Sequence, residues 1–249
     1  MVEAFSKKIF RKLGNLGEII FFPSRCQLCS AFLELPEEKI ICQFCWEQLK
    51  PLSGSVCLCC GKLLKSTLPS HLCQECLTKI PPFSIHRSVG EYEGILKEII
   101  LLFKYHQKKI LGKNLAHFAY HFLQREEELL NVEGIVSVPL HPKKKKERGF
   151  NQTEIIAREL TRLTHKEFIK GALIKVKNTL PQSQLEFKER ERNIKGAFSV
   201  KNREKIEGKN LLLVDDVFTS GSTIKECAFI LLKAGAKEVK AFTLAQAGL

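Results

Sequence analysis

Residues 211–223 read Leu-Leu-Leu-Val-Asp-Asp-Val-Phe-Thr-Ser-Gly-Ser-Thr, and this stretch decides the fold class. Its first four residues are apolar and predict a buried strand of a parallel sheet, because such strands are covered on both faces. The apolar spacing from residue 223 onward predicts a helix that ends before Gly235. Asp215 and Asp216 then lie at the carboxyl end of the strand, the edge where open α/β sheets bind their ligands.

The loop between this strand and this helix has the composition of a phosphate site. Unpaired amides at the start of a helix attract anions, and the hydroxyl groups of Thr219, Ser220, Ser222 and Thr223 surround Gly221 there. Two adjacent carboxylates repel each other, so they need a cation or hydrogen-bond donors such as a sugar diol. The acid pair beside a phosphate loop therefore predicts a site for a sugar phosphate.

A purely structural interpretation of the same residues is open. An aspartate after a strand is a common turn residue, and Thr223 with Glu226 has the pattern of a helix capping box. Each feature alone favours this structural interpretation. Their order along strand, loop and helix favours the binding site.

Strands and helices alternate through the rest of the second half of the chain. We expect strands at 134–138, 172–176 and 238–244, and helices at 91–103, 112–130 and 151–164. The helix at 151–164 begins with Asn151 and has Glu154 three residues later, which predicts a capping box. This alternation predicts an α/β fold with a mostly parallel sheet flanked by helices. Residues 3–21 have an amphipathic pattern that predicts a helix packed on the body, with a membrane-surface helix as the alternative.

Nine of the ten cysteines lie between residues 26 and 76 and form a repeat. Each half has two Cys-x2-Cys knuckles separated by twelve residues, and the second half follows the first by 31 positions. Two knuckles supply the four thiolates of a tetrahedral zinc site. We therefore expect two zinc ions, with the ligands Cys26, Cys29, Cys42, Cys45, Cys57, Cys60, Cys73 and Cys76.

The pairing of the knuckles is open at this point. Pairing within each repeat is simpler, and pairing of the first knuckle of one repeat with that of the other is the alternative. Cys59 and His71 lie near the second set, but four ligands are present without them, and a closed set of four favours structural over catalytic zinc. Pro81-Pro82 ends the cysteine region. We expect an N-terminal helix and double zinc ribbon at 1–80 and a second domain at 81–249.

The composition indicates a folded protein that works among reduced thiols. Hydrophobic residues make up 44% of the 249 residues, which excludes a wholly disordered chain. The sequence has no run of 18 apolar residues, so we expect no transmembrane segment, and lysines interrupt the first 22 residues, which is unlike a secretory signal. We expect a cytoplasmic protein whose cysteines bind metal instead of forming disulfides.

The chain is strongly basic, and this favours a polyanionic partner. Lysine and arginine outnumber aspartate and glutamate by 40 to 27, a formal net charge of +13. The densest basic stretch has four lysines at 143–146 followed by Arg148. Such a stretch either contacts pyrophosphate or nucleic-acid phosphates or is a solvated loop, and Arg148 is the favoured contact because its guanidinium binds phosphate bidentately. Phe150 and Phe187 are candidate stacking aromatics with core packing as the alternative, and we expect Trp46 to pack across the first zinc knuckle.

Residues 214–223 resemble the phosphoribosyl pyrophosphate (PRPP) motif of type I phosphoribosyltransferases. Along nearly its whole length, the chain also resembles the ComF family of bacterial proteins. The residues that carry this second resemblance are the double cysteine knuckles, Lys104-Tyr105, Val138-Pro139-Leu140-His141-Pro142, Arg148-Gly149-Phe150-Asn151-Gln152, Gln182, Arg192-Asn193 and Gly196-Ala197-Phe198.

The resemblance implies a type I phosphoribosyltransferase-like domain behind a double zinc ribbon. It implies that Asp215 and Asp216 bind the ribose hydroxyls. The 5′-phosphate then belongs to Thr219, Ser220, Gly221, Ser222 and Thr223. A loop after an earlier strand meets the pyrophosphate in this fold, often through Mg²⁺, and here that loop is the segment from Pro139. The candidate contacts to pyrophosphate or nucleic acid are Pro139, Lys143, Arg148 and Asn151.

Members of the family are associated with natural transformation and the handling of incoming single-stranded DNA. This implies a DNA-uptake protein with a PRPP-binding domain, and with single-stranded DNA and a DNA-uptake helicase as partners. One alternative is an active transferase that moves phosphoribose from PRPP to an acceptor that the sequence does not identify. Another is a zinc-ribbon adaptor with a vestigial transferase fold, against which the complete acid pair and hydroxyl loop argue.

Overall fold

A computed structural model describes residues 24–33, 40–64, 69–106, 108–180 and 185–247, with the backbone alone for Phe187 and Lys188. The helix expected at 3–21 lies outside these residues. The chain separates into two compact units, Met1–Lys50 and Pro51–Leu249. The first cysteine repeat belongs to the smaller unit and the second to the larger one. The domain boundary expected at residue 80 stays a prediction.

The larger unit is built on a sheet of five parallel strands, as the sequence predicts. The strands are β1 His86–Glu91, β2 Gly134–Ser137, β3 Glu167–Phe168, β6 Asn210–Phe218 and β7 Glu238–Gln246. Their order is β1-β7-β6-β2-β3, which places β6 in the centre. Two more strands, β4 Leu173–Lys175 and β5 Phe198–Val200, form a separate antiparallel pair, so the strand expected at 172–176 does not join the main sheet.

Helices connect these strands, as parallel crossovers require. In the described part of the larger unit they are Gln74–Thr78, Gly94–Tyr105, Ile110–Leu123, Glu127–Leu130, Pro142–Arg148, Gln152–Thr164, Phe187–Ile194 and Ser222–Lys233, with a 3₁₀ turn at Arg203–Lys205. The smaller unit has one described helix, Gln43–Glu47. Within the described ranges, every helix is too short or too polar to cross a membrane.

The centre of the core is the amino half of β6. Leu211, Leu212, Leu213 and Val214 are all fully buried. Successive side chains of a strand point to opposite faces, so this burial shows that both faces of β6 are covered. Helices Gln152–Thr164 and Ser222–Lys233 both pack on this strand.

The second cysteine repeat is part of the same core. Cys57, Cys60, Cys73 and Cys76 form one buried cluster with Phe83 and with apolar residues of β2, β6 and helix Ser222–Lys233. A further link is the buried ring of His86, which donates a hydrogen bond from Nδ1 to the Cys60 carbonyl (2.8 Å) and stacks on Phe218 (centroids 4.0 Å apart). The second repeat is therefore packed against β6, the strand that precedes residues 219–223.

Three local predictions are wrong. β6 continues past Val214 to Phe218, because β7 offers it pairing partners as far as Gln246, so the acid pair lies inside the strand. The helix expected at 112–130 is two helices separated at 124–126. The capping box of Asn151 does not form, because its side-chain amide donates to the Val138 carbonyl (3.1 Å) and Glu154 pairs with Lys145 (3.1 Å).

Candidate functional site

Asp216 is a buried carboxylate with two strong partners. The Lys104 ammonium lies 2.8 Å from one carboxylate oxygen, and the Gln152 side-chain amide donates a 2.6 Å hydrogen bond to the other. Both partners come from elements that sequence reasoning did not connect to the acid pair. Lys104 ends helix Gly94–Tyr105, and Gln152 is the first residue of helix Gln152–Thr164.

Lys104 remains a cation in this environment. Burial acts to lower the pKa of Lys104, but the Asp216 carboxylate outweighs burial, and the pKa is raised above its ordinary value. A buried ion pair is maintained when geometry and further hydrogen bonds compensate for lost hydration. Gln152 supplies such a bond. Asp216 is therefore held at a fixed position by a cation on one oxygen and an amide on the other.

Asp215 is the carboxylate of the pair that lacks such a cation. It accepts a hydrogen bond from the backbone amide of Asp216 (2.9 Å). Burial and the neighbouring Asp216 charge raise the pKa of Asp215 to about 7, while Lys104 and Lys175 act in the opposite direction. A cation or a pair of hydroxyl donors close to Asp215 fits this arrangement, because either one stabilises the ionised form.

The hydroxyl loop, which we call the phosphate loop, covers residues 219–223. Ser220 and Ser222 are buried, and their hydroxyls are 2.8 Å apart. Gly221 has φ +71°, and a Cβ there would lie 2.5 Å from the ring of Phe218, so this position requires glycine. The loop leads into helix Ser222–Lys233, whose first amides lack helical partners. The structure thus brings the predicted hydroxyls, the helix start and the acid pair onto consecutive residues of one strand–loop–helix unit.

The basic stretch is a helix, not the solvated loop that was the sequence-based alternative. Helix Pro142–Arg148, which we call the basic helix, has proline in its first turn and ends at Gly149 in the left-handed region (φ +81°). Lys144 donates to the Thr179 carbonyl (2.9 Å) and Lys145 pairs with Glu154. Lys143 and Lys146 are exposed.

Arg148 extends the contacts of the acid pair. Its guanidinium donates a 2.6 Å hydrogen bond to the Gln152 side-chain oxygen, and Gln152 in turn donates to Asp216. Lys104, Gln152 and Arg148 therefore form one polar network that is connected through Asp216. The sequence signal for this network is the short segment Gly149-Phe150-Asn151, which separates Arg148 from Gln152 by only three residues.

Two other predicted contacts have structural roles in this geometry. Asn151 is buried and holds the segment before Pro139 through the Val138 carbonyl. Phe150 is buried against Phe103 (centroids 5.5 Å apart), which confirms the core alternative for this ring. The side chain of Phe187 lies outside the described residues.

The cysteine sulfurs form two groups, each within one repeat. In each group of four, the sulfurs lie within 4.8 Å of one another. Measured pairs are Cys26–Cys45 (3.8 Å), Cys29–Cys42 (3.5 Å) and Cys60–Cys73 (3.7 Å). Four thiolates about 2.3 Å from a tetrahedral zinc are about 3.8 Å apart. The spacing fits zinc, and the sequential pairing is the one that the described residues form.

The electrostatics of these groups also fit a cation. Burial acts to raise the pKa of Cys57, but backbone amides that include those of Cys60 and Cys73 donate to its sulfur and lower the pKa to about 7. Burial and then the Cys60 thiolate raise the pKa of Cys76 well above its ordinary value. Four thiolates together therefore need a positive ion. His71 lies outside the sulfur group, since its ring bonds the Pro69 carbonyl (2.9 Å).

Comparison with known proteins identifies the family. Two family models match, a double zinc ribbon domain over residues 19–77 and a phosphoribosyl transferase domain over residues 147–248. Competence protein F of Haemophilus influenzae is 30% identical to this chain, covering 91% of it and 99% of the relative. The chain belongs to the ComF family. Two further relatives are DNA utilization protein YhgH of Escherichia coli (32% identical, 89% of this chain, 96% of the relative) and competence protein ComFC of Bacillus subtilis (32%, 86%, 86%).

A solved structure also matches part of the chain. It is the glutamine PRPP amidotransferase of B. subtilis complexed with ADP and GMP, with 24% identity and a TM-score of 0.34. The match covers 54% of this chain and 25% of that protein. The phosphoribosyl transferase model covers residues 147–248, and these residues include β6 and the phosphate loop.

The two cysteine groups should differ in how they affect stability, because only the second lies in the core of the larger unit. We predict that the double change Cys57→Ser and Cys73→Ser removes one bound zinc ion and lowers the unfolding midpoint of the larger unit by roughly 10 °C. The matched change Cys26→Ser and Cys42→Ser should also remove one zinc ion but leave that midpoint unchanged. Metal analysis with calorimetry measures both, and equal midpoint losses would contradict the assignment.

The Lys104–Asp216 pair can be tested by a double-mutant cycle. Lys104→Met leaves a buried carboxylate without its cation and should lower the free energy of unfolding by about 3 kcal/mol. Lys104→Met combined with Asp216→Asn removes both charges and should recover at least half of this loss. Urea unfolding at pH 7.5 gives the values. Additive losses in the double variant would show that the two groups do not interact.

Proposed function

We propose that this ComF-family chain binds PRPP or a related phosphoribosyl ligand and acts in DNA uptake on single-stranded DNA in the cytoplasm. The observation that carries the ligand proposal is the order of Asp215, Asp216 and the phosphate loop on one strand–loop–helix unit. The phosphoribosyl transferase model over residues 147–248 supports it.

Each part of the ligand has a partner of matching chemistry in this proposal. The ribose hydroxyls donate to the carboxylates of Asp215 and Asp216, the second of which is paired with Lys104. The 5′-phosphate lies in the phosphate loop, where amides of the helix start and the hydroxyls of Ser220 and Ser222 surround it. The hydroxyl–hydroxyl bond between these two serines is exchanged for bonds to the phosphate oxygens.

The pyrophosphate belongs to the segment that begins at Pro139. The exposed Lys143 follows this segment, and Asn151 fixes it through Val138. When bound, Mg²⁺ would neutralise the charge of the pyrophosphate. Asp215 is the carboxylate that could face this ion, because it is the acid of the pair without an ammonium partner of its own. Lys104 already compensates Asp216, so the site needs little additional positive charge near the ribose.

Two structural zinc ions complete the proposed chemistry of the chain. Each is held by the four cysteines of one repeat, Cys26 to Cys45 and Cys57 to Cys76. Four protein ligands leave no open position for a substrate. The second ion stabilises the segment that packs on Phe83 and on β6.

The DNA part of the proposal is supported by charge and by relatives. Three relatives carry the names competence protein F, DNA utilization protein YhgH and competence protein ComFC. This chain has a formal net charge of +13 and presents the exposed Lys143 and Lys146 on the basic helix. A DNA-uptake helicase is the protein partner that this role implies.

An active transferase is the second candidate, and one cavity favours it. The cavity has a volume of about 450 Å³ and is bounded by Thr219 and Ser220 of the phosphate loop, by Tyr92, and by Cys60 and Cys76 of the second repeat. It provides space for an acceptor next to the sugar site. In such a reaction, an acceptor lone pair forms a bond to the anomeric carbon as the bond to pyrophosphate breaks, and the acceptor proton goes to solvent or to a base.

Calorimetric titration with PRPP and Mg²⁺ tests the ligand proposal. We predict saturable binding by the natural chain and at least tenfold weaker binding by Asp215→Asn, because one acceptor for the ribose hydroxyls is lost. Glu167→Gln, the same change of charge on the edge strand β3, is the control and should bind normally. Absence of heat with the natural chain, together with no competition by ribose 5-phosphate, would refute the proposal.

The same titration has an expected pH dependence. Because the pKa of Asp215 is raised to about 7, lowering the pH from 8 to 6 protonates an acceptor, and PRPP affinity should fall. The Asp215→Asn variant has no such group and should show a smaller change, since only the ligand's own titration remains. Equal pH profiles for the two proteins would contradict this role of Asp215.

The DNA proposal predicts a change in salt dependence. Removing two phosphate contacts should reduce the slope of log K against log salt by roughly 1.4 for a single strand. We predict this for Lys143→Ala with Lys146→Ala, measured by fluorescence anisotropy with a labelled oligonucleotide. The control is Lys201→Ala with Lys237→Ala, two exposed lysines elsewhere on the larger unit. An unchanged slope in the first variant would exclude the basic helix from the DNA contact.

A further inference from the structure

Tyr105 presents a large aromatic surface and directly follows Lys104, the residue that pairs with Asp216. It is the last residue of helix Gly94–Tyr105, and 64% of it is exposed. The preceding residue, Lys104, is buried against Asp216. The ion pair therefore holds the end of this helix, and with it the backbone of Tyr105, against the strand that carries Asp216.

The Tyr105 ring also has a contact with the basic helix. The Arg148 guanidinium lies over the Tyr105 ring, 5.3 Å from its centroid. Arg148 also donates to Gln152, and Gln152 donates to Asp216. Two independent routes, through Lys104 and through Arg148, therefore connect the position of this ring to the same carboxylate.

We propose that Tyr105 is a stacking platform for a nucleobase, with Arg148 as its cationic neighbour. This inference rests on the proposed function. Proteins that bind single strands combine aromatic rings, on which the bases stack, with cations that contact the phosphates. The exposed ring and the guanidinium supply both parts within 5.3 Å of each other. Phe150, the aromatic next to Arg148 in the sequence, is buried and does not offer this surface.

The stacked base has two possible sources with the same chemistry. It is either one base of a single DNA strand or a free base that enters beside the ribose as an acceptor. Both place a planar π system on the Tyr105 ring. The two sources can be separated by measuring binding of three ligands: a DNA strand with bases, the same strand without bases, and a free base.

The test compares two strands of equal length and charge. One is a labelled oligo(dT) 12-mer, and the other is the same strand in which abasic residues replace the thymidines. We expect the natural chain to bind oligo(dT) more tightly than the abasic strand. Tyr105→Leu should weaken binding of oligo(dT) by about fivefold to a hundredfold and leave binding of the abasic strand unchanged.

Two further variants exclude indirect effects. Tyr105→Phe keeps the ring and should keep the preference for oligo(dT). Phe229→Leu removes an exposed aromatic from helix Ser222–Lys233 and should leave both affinities unchanged. Circular dichroism and PRPP titration establish that each variant is folded and keeps the sugar site.

Specific outcomes overturn the inference. If Tyr105→Leu keeps the preference of the natural chain for bases, the platform lies elsewhere. If the natural chain binds neither strand, the DNA part of the proposed function fails. Titration with adenine and uracil in the presence of PRPP then tests whether Tyr105 binds a free base. Saturable binding of a base that Tyr105→Leu loses supports a free base as the occupant, and absence of such binding refutes the platform.

Discussion

The buried charge of Asp216 is the constraint on which the site depends. A carboxylate this far from water needs a compensating partner, and the nearest cation is Lys104, 2.8 Å away. Lys104 reaches it only because helix Gly94–Tyr105 ends beside β6, and Gln152 reaches it only because helix Gln152–Thr164 begins there. One carboxylate thus fixes the relative positions of three elements from distant parts of the sequence.

A consequence of this ion pair is that the two adjacent aspartates are not equivalent. Asp216 has its hydrogen-bonding and electrostatic needs met within the protein, while burial and its neighbour raise the pKa of Asp215 to about 7. In the proposed function, Asp215 is therefore the acid whose charge a bound ligand affects most. The adjoining phosphate loop is constrained as well, since Gly221 allows close approach of the Phe218 ring. His86 links this ring to Cys60, so the zinc-ribbon segment supports the strand end that carries the loop.

Much of this architecture could be predicted from local sequence. The apolar run at 211–214, the phosphate loop and the long helices have strong short-range patterns, and the repeated cysteine spacing predicts the two sulfur groups. Strand β1 was not predicted, because its polar residues His86 and Ser88 find partners only in the folded chain, among them Thr243 on β7. The role of Lys104 was missed for the same reason, since its partner is more than a hundred residues away. The basic helix was hidden by its charge, although Pro142 and Gly149 mark its ends.

The central claim is that the acid pair recognises the hydroxyls of a phosphoribosyl group. The most direct measurement compares ribose 5-phosphate with 2-deoxyribose 5-phosphate by calorimetric titration of the natural chain. Both ligands have the phosphate, but only the first has the 2-hydroxyl. We predict clearly tighter binding of ribose 5-phosphate, and a preference that shrinks in Asp215→Asn. Equal affinities for the two sugars would show that the aspartates do not contact the diol and would contradict the account.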